Sequence, residues 1–123
     1  MPGGGLCDGE SAEIAVVREV YEETGLVLPH AGLEVWTRTH EIQTGEATVV
    51  QHERYFLVQA EMFEPRAVAL DKSDETDWFR EFRWWSFSDL PQSSEHFAPT
   101  RIGELLRHLL IDGPPSQPVE IPE

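Results

Sequence analysis

Apolar and polar residues change period along the chain, and each period predicts a different element. Ile14, Val16, Val17, Val20 and Tyr21 fall on one side when residues advance by roughly 100° each. Arg18, Glu19, Glu22 and Glu23 fall within an arc of about 140° on the other side. Ser11 suits the N-cap and Gly25 the residue just past the end, so a helix is predicted from Ala12 to Thr24, one face core and the other a fan of carboxylates. Extended segments follow over 34–43 and 47–60, joined by a turn at Thr44-Gly45-Glu46. On the second segment Val50, His52, Arg54, Phe56 and Val58 share one face, and Val49, Glu53, Tyr55 and Leu57 the other. Neither face is purely apolar in its first half, as expected where a strand passes beneath a polar cleft. His40-Glu41 and His52-Glu53 lie where these strands pair, and a surface or supporting role is expected for both histidines.

A polar, acidic loop is predicted over 61–77, in which Glu75 reads as a solvated loop carboxylate. The aromatic run over 78–87 reads as a strand, in which Trp84 and Trp85 must point to opposite faces. One is expected in the core, and the other either packs on the last helix or stacks on a nucleobase. That helix is predicted over 100–111, where Ile102, Leu105, Leu106, Leu109 and Leu110 recur at helical spacing between Pro99 and Gly113. The division is therefore one domain, 1–112, and a flexible Pro-rich tail, 113–123.

Composition narrows the class. A chain of 123 residues with 40% hydrophobic and 10% aromatic content can build a core and is not a disordered sequence. Twenty-three acidic against nine basic residues give a net charge of −14, which disfavours nucleic-acid polymers and anionic membranes as partners. The single Cys7 excludes an internal disulfide framework and a cysteine-based zinc site, so a reducing cytoplasm is the expected location.

The carboxylate fan is where chemistry enters. Glu19, Glu22 and Glu23 stand at i, i+3 and i+4 and repel one another by a few tenths of a kcal/mol per pair unless something neutralises them. Oxygen-only donors on a rigid element suit a hard divalent cation such as Mg2+, which completes its shell with water and substrate phosphate. A Glu-rich helix face is ordinarily just a solvated face, and the short stretch alone does not separate the two readings.

The longer spacing does. Gly4, Glu10, Arg18, Glu19, Val20, Glu22, Glu23, Gly25 and Leu26 form the pattern Gly, five residues, Glu, seven residues, Arg-Glu, aliphatic, any residue, Glu-Glu, any residue, Gly, aliphatic. A chance match is on the order of one in 10⁹ per window at ordinary residue frequencies. This pattern resembles the signature box of the Nudix hydrolases, with no departure at a defined position. The resemblance implies a Nudix-like α/β/α sandwich with a mixed central sheet. It also implies a pyrophosphohydrolase that cleaves a phosphoanhydride in a nucleoside-diphosphate-linked substrate, with Mg2+ or Mn2+. By the same resemblance Glu19, Glu22 and Glu23 are metal ligands, joined by the backbone at Gly4. Glu22 or Glu23 helps deprotonate the attacking water, and Arg18 and Glu10 orient the cluster. Because the family sometimes draws a general base from the loop after the hairpin, Glu75 is a candidate for that role beside its plain reading as a solvated carboxylate.

The family implies a small nucleoside-diphosphate-type molecule as partner, while the net charge is what speaks against a nucleic-acid polymer and a membrane. Because the box begins at residue 4, the chain is expected to be N-terminally truncated, lacking the strands that precede the box in the family. The exposed sheet edge this leaves would permit a homodimer by strand pairing. The contrasting expectation is a catalytically inactive Nudix-fold remnant that binds nucleotide or another chain. Turnover that depends on metal separates the two.

Overall fold

The computed structural model describes residues 1–68, 82–86, 88–90, 97 and 99–122. In chain order these form helix α1 (Ala12–Thr24), strands β1 (Leu33–Thr44) and β2 (Ala47–Leu57), helix α2 (Ile102–Asp112) and the short strand β3 (Val119–Glu120). The fold is α/β, with a mixed sheet in the order β2-β1-β3. The chain clusters into two compact units, one of residues 1–33 and 56–83 and the other of 34–55 and 84–123.

In the first unit α1 occupies the predicted span. Ser11, in extended backbone, accepts the Ile14 N–H at 3.2 Å and so satisfies one of the helix's orphan donors. At the other end Gly25 turns left-handed at φ 81° and returns its N–H to Tyr21 O. Two more terminal carbonyls are met by the irregular segment beyond β2: Arg66 N–H donates to Thr24 O at 2.8 Å and Val68 N–H to Glu22 O at 2.9 Å. A Cβ at residue 25 would lie 3.0 Å from Arg66 O, so a glycine serves both the turn and this close approach.

The apolar arc of α1 is less covered than its pattern predicts. Ala15 is buried and Val16, Val17 and Val20 are half-buried, but Ile14 and Tyr21 are 60% and 43% exposed.

In the second unit a two-residue loop, Gly45-Glu46, joins β1 to β2 and makes them an antiparallel hairpin. That loop sets the register. Gln43 bonds Thr48, Thr39 bonds His52, Arg38 bonds Glu53 and Trp36 meets Tyr55, each pair equally distant from the turn. Val35, Trp36, Leu90, Ile102, Leu109 and Ile121 are buried, with Pro99 enclosed at the start of α2. Of the apolar residues predicted to bury on α2, Ile102 and Leu109 do so and Leu105 and Leu106 are half-buried, while Leu110 is 55% exposed.

Two expectations need correcting. The tail is tied into the sheet: Val119–Glu120 pairs in parallel with Trp36 and Thr37 of β1, Ile121 N–H donates to Thr37 O at 2.8 Å, and Ile121 is buried. Its prolines flank this stretch and leave the needed N–H groups in place. The expected strand over 78–87 lies partly outside the described residues, and its described part, 82–86, is irregular. The edge of β1 at Trp36 and Thr37 is the one taken by β3. Trp85 packs edge-on against Phe97 with ring centroids 5.2 Å apart, and Trp84 is 51% exposed.

Candidate active site

In the loop before α1, Cys7 and Glu10 close a tight turn. Glu10 N–H donates to Cys7 O, and Cys7 N–H returns to Glu10 Oε1, both at 3.0 Å. This places the Glu10 carboxylate against Arg18. The guanidinium grips it as a fork, Nε to Oε2 at 2.7 Å and Nη2 to Oε1 at 2.9 Å, while Nη2 also donates to Gly5 O at 3.0 Å. The remaining nitrogen, Nη1, reaches along the helix to Glu19 Oε1 at 2.9 Å and Glu22 Oε2 at 3.1 Å. One arginine thus gathers three of the four predicted glutamates.

The electrostatics follow from the geometry. The Arg18 fork and the Cys7 N–H hold the Glu10 carboxyl down at about 2, against an ordinary 4.5, and the paired carboxylates raise Arg18. Glu23 stands apart. Burial, together with the charges of Glu19 and Glu22, pushes its carboxyl up, although the Gly3 N–H at 2.8 Å favours the ionised form. Gly4 lies hard against Glu19: a Cβ there would sit 2.4 Å from Oε1 and 2.7 Å from the carboxyl carbon. A side chain at residue 4 would displace the Glu19 carboxylate from this position.

These residues suit a divalent cation in donor chemistry. Glu19, Glu22 and Glu23 offer hard oxygen ligands from one helix, and the glycine loop passes against them with no side chain of its own in the way. As placed, no group of three or more His, Cys, Asp or Glu side chains among the described residues stands ready to hold a metal. Instead Arg18 Nη1 carries positive charge to Glu19 and Glu22. Because Nε and Nη2 are anchored separately, those two carboxylates can turn from Nη1 to a cation without releasing the arginine.

A second polar cluster was only partly foreseen. On the hairpin, Glu53 Oε1 receives Arg38 Nη2 at 2.8 Å and Gln51 Nε2 at 3.1 Å, with His40 Nε2 at 2.5 Å, and Tyr55 donates its hydroxyl to Oε2. Burial alone would raise Glu53, but these hydrogen bonds and the Arg38 charge hold it at about 2. Burial and the bond to Glu53 push the Tyr55 hydroxyl up to about 12. Four donors converge on the Glu53 carboxylate, three of them on Oε1. His52 turns instead to Thr39 Oγ1 at 2.9 Å. Arg38, Gln51 and Tyr55 are the members whose part in it the sequence reading passed over. Counting back from the two-residue turn places Arg38 opposite Glu53 and would have found the pair. Glu75 lies outside the described residues.

A family model described as the NUDIX domain matches residues 1–109. The chain belongs to the Nudix family. Among curated proteins this Nudix chain is similar to RNA pyrophosphohydrolases of several Shewanella species. That of Shewanella pealeana is 33% identical over 97 residues, covering 71% of this chain and 55% of the relative. Those of Shewanella oneidensis and Shewanella frigidimarina are 32% and 31% identical over the same coverage. The chain spans about half the length of the curated relatives it matches. No solved structure matches it. Among the described residues no helix is long and apolar enough to cross a membrane.

Proposed function

We propose that this Nudix domain is a metal-dependent pyrophosphohydrolase that cleaves a phosphoanhydride in a nucleoside-diphosphate-linked small molecule. The observation that carries this reading is the gathering of Glu10, Glu19 and Glu22 around Arg18, with Gly4 against Glu19. Glu19, Glu22 and Glu23 would hold Mg2+ or Mn2+, together with the backbone at Gly4. When bound, the cation screens the pyrophosphate charge and makes water a stronger nucleophile. Glu22 or Glu23 takes the proton as the water oxygen attacks phosphorus and the bridging P–O bond breaks. Arg18, locked by Glu10 and Gly5, fixes the spacing of the helix carboxylates throughout. The lone, exposed Cys7 supports a reducing, cytoplasmic setting.

The likeness to RNA pyrophosphohydrolases puts RNA in competition as substrate, while the net charge of −14 favours a small nucleotide over a polymer. The deciding experiment is a phosphate-product assay on dinucleotides, nucleotide sugars, nucleoside triphosphates and 5′-triphosphorylated RNA, with and without Mg2+. Turnover of a small nucleotide, lost without metal or in Glu22→Gln, is expected. Turnover of the RNA alone would overturn the small-molecule assignment. Binding without turnover across the panel, from folded protein, would favour an inactive nucleotide-binding module.

A further inference from the structure

Three consecutive residues ahead of the helix each touch a different member of the carboxylate cluster. Gly3 N–H donates to Glu23 Oε2 at 2.8 Å, Gly4 leaves room for the Glu19 carboxyl, and Gly5 O accepts from Arg18 Nη2 at 3.0 Å. The backbone of 3–5 therefore runs along the carboxylate face of α1 as a strap. Gly4 is part of the box pattern, but Gly3 lies ahead of it and has no role so far.

We propose that Gly3 is a positioning residue: its backbone N–H aims the Glu23 carboxylate at the divalent cation, while Gly4 keeps Glu19 beside it. The proposal rests on the metal-site reading above. A carboxylate offers about four acceptor positions, so one bond from Gly3 fixes its orientation and leaves the others for a cation. The partners also differ in kind. Glu19 and Glu22 are held by a guanidinium, which competes with a metal, whereas a peptide N–H orients Glu23 without neutralising it. Supporting bonds of this type orient ligands and raise metal affinity.

The two glycines make the test specific. A Cβ at residue 3 meets nothing within 4 Å, whereas one at residue 4 meets the Glu19 carboxyl at 2.4 Å. Gly3→Ala keeps both the N–H and the space, and Gly3→Pro removes the N–H while also fixing φ. Mn2+ binding to the full chain is followed by electron paramagnetic resonance of the free ion, with circular dichroism as the check on folding. Supporting-shell losses run to roughly 10-fold or more, so Gly3→Pro and Gly4→Ala are expected to weaken Mn2+ by that factor, and Gly3→Ala to stay within about twofold of wild type.

Folded Gly3→Pro that binds Mn2+ like wild type overturns the strap and leaves the metal site standing. So does an equal loss in Gly3→Ala, which would trace the effect to chain stiffness. A wild-type chain that binds no Mn2+ overturns the metal reading and this proposal with it. A second measurement needs no variant. In 15N-labelled wild type, saturating Mg2+ is expected to move the Gly3 amide cross-peak along with that of Glu23. A Gly3 peak left in place while Glu23 moves overturns the proposal.

Discussion

Around Arg18 one guanidinium faces the carboxylates of Glu10, Glu19 and Glu22, with Glu23 close behind on the same helix. Around Glu53 one carboxylate faces a guanidinium, an imidazole, a phenol and an amide. The parts are alike and the balance is reversed. The helix cluster carries more negative charge than its own cation can answer, and that surplus is what a metal or a proton would satisfy. The hairpin cluster carries more donors than its acceptor needs, so its carboxylate is spoken for. An acidic residue near an arginine is therefore not informative alone. Among the described residues, the count of partners on each side is what distinguishes the two clusters.

Breaking each side of this comparison should produce opposite signatures. The largest effect is expected from Glu22→Gln, which should lower turnover by roughly 10²–10⁴, the range for losing a group that assists proton transfer. It removes a repelling charge from the helix face, so stability in urea should shift by no more than about 0.5 kcal/mol. A variant that unfolds would show the cluster to be structural instead. Glu53→Ala should do the reverse. Arg38 is only 9% exposed, and leaving its charge without the carboxylate should cost about 3 kcal/mol of stability in urea. Mn2+ affinity should be unchanged in this variant, and a loss there would blur the distinction between the clusters.

Acid sharpens the contrast further. Glu53 titrates at about 2 in the fold against an ordinary 4.5, so the unfolded chain takes up the proton first. The stability this provides is complete above about 4.5 and is lost as pH falls towards 2. Melting temperature followed over that window should fall in wild type and fall less steeply in Glu53→Gln. Glu10, also held at about 2, supplies part of the remaining slope, which Glu10→Gln should reduce again. The smallest effect is expected from Ser11→Ala, which removes the N-cap and should cost about 1 kcal/mol while leaving every charge in both clusters.

Local signals carried most of what the sequence could say. Ser11 and Gly25 bound α1 as their side-chain chemistry predicts, and the turn at Gly45-Glu46 placed the hairpin. The box residues come together because helical spacing alone puts Arg18, Glu19 and Glu22 on one face. What escaped was decided by distant partners. The pairing of Val119–Glu120 with β1 depends on which neighbour fills that edge, and a Pro-rich composition hides so short a strand. The exposure of Ile14, Tyr21 and Leu110 depends on what packs over them, which periodicity does not report. Gly3 escaped for a different reason: its contribution is a backbone N–H, which any residue but proline would also supply.

The parallel pairing of β3 with β1 has a consequence for how the chain folds. The hairpin closes through a two-residue loop and can form within about 1–10 μs, on local information. The β3 contact must wait until nearly the whole intervening chain has been gathered, at a loop-closure cost that a two-residue strand repays poorly. The last ladder bond to form should then be the first to open. In native-state hydrogen exchange the Ile121 amide, bonded to Thr37 O, should exchange through local fraying, well ahead of amides in the middle of the hairpin.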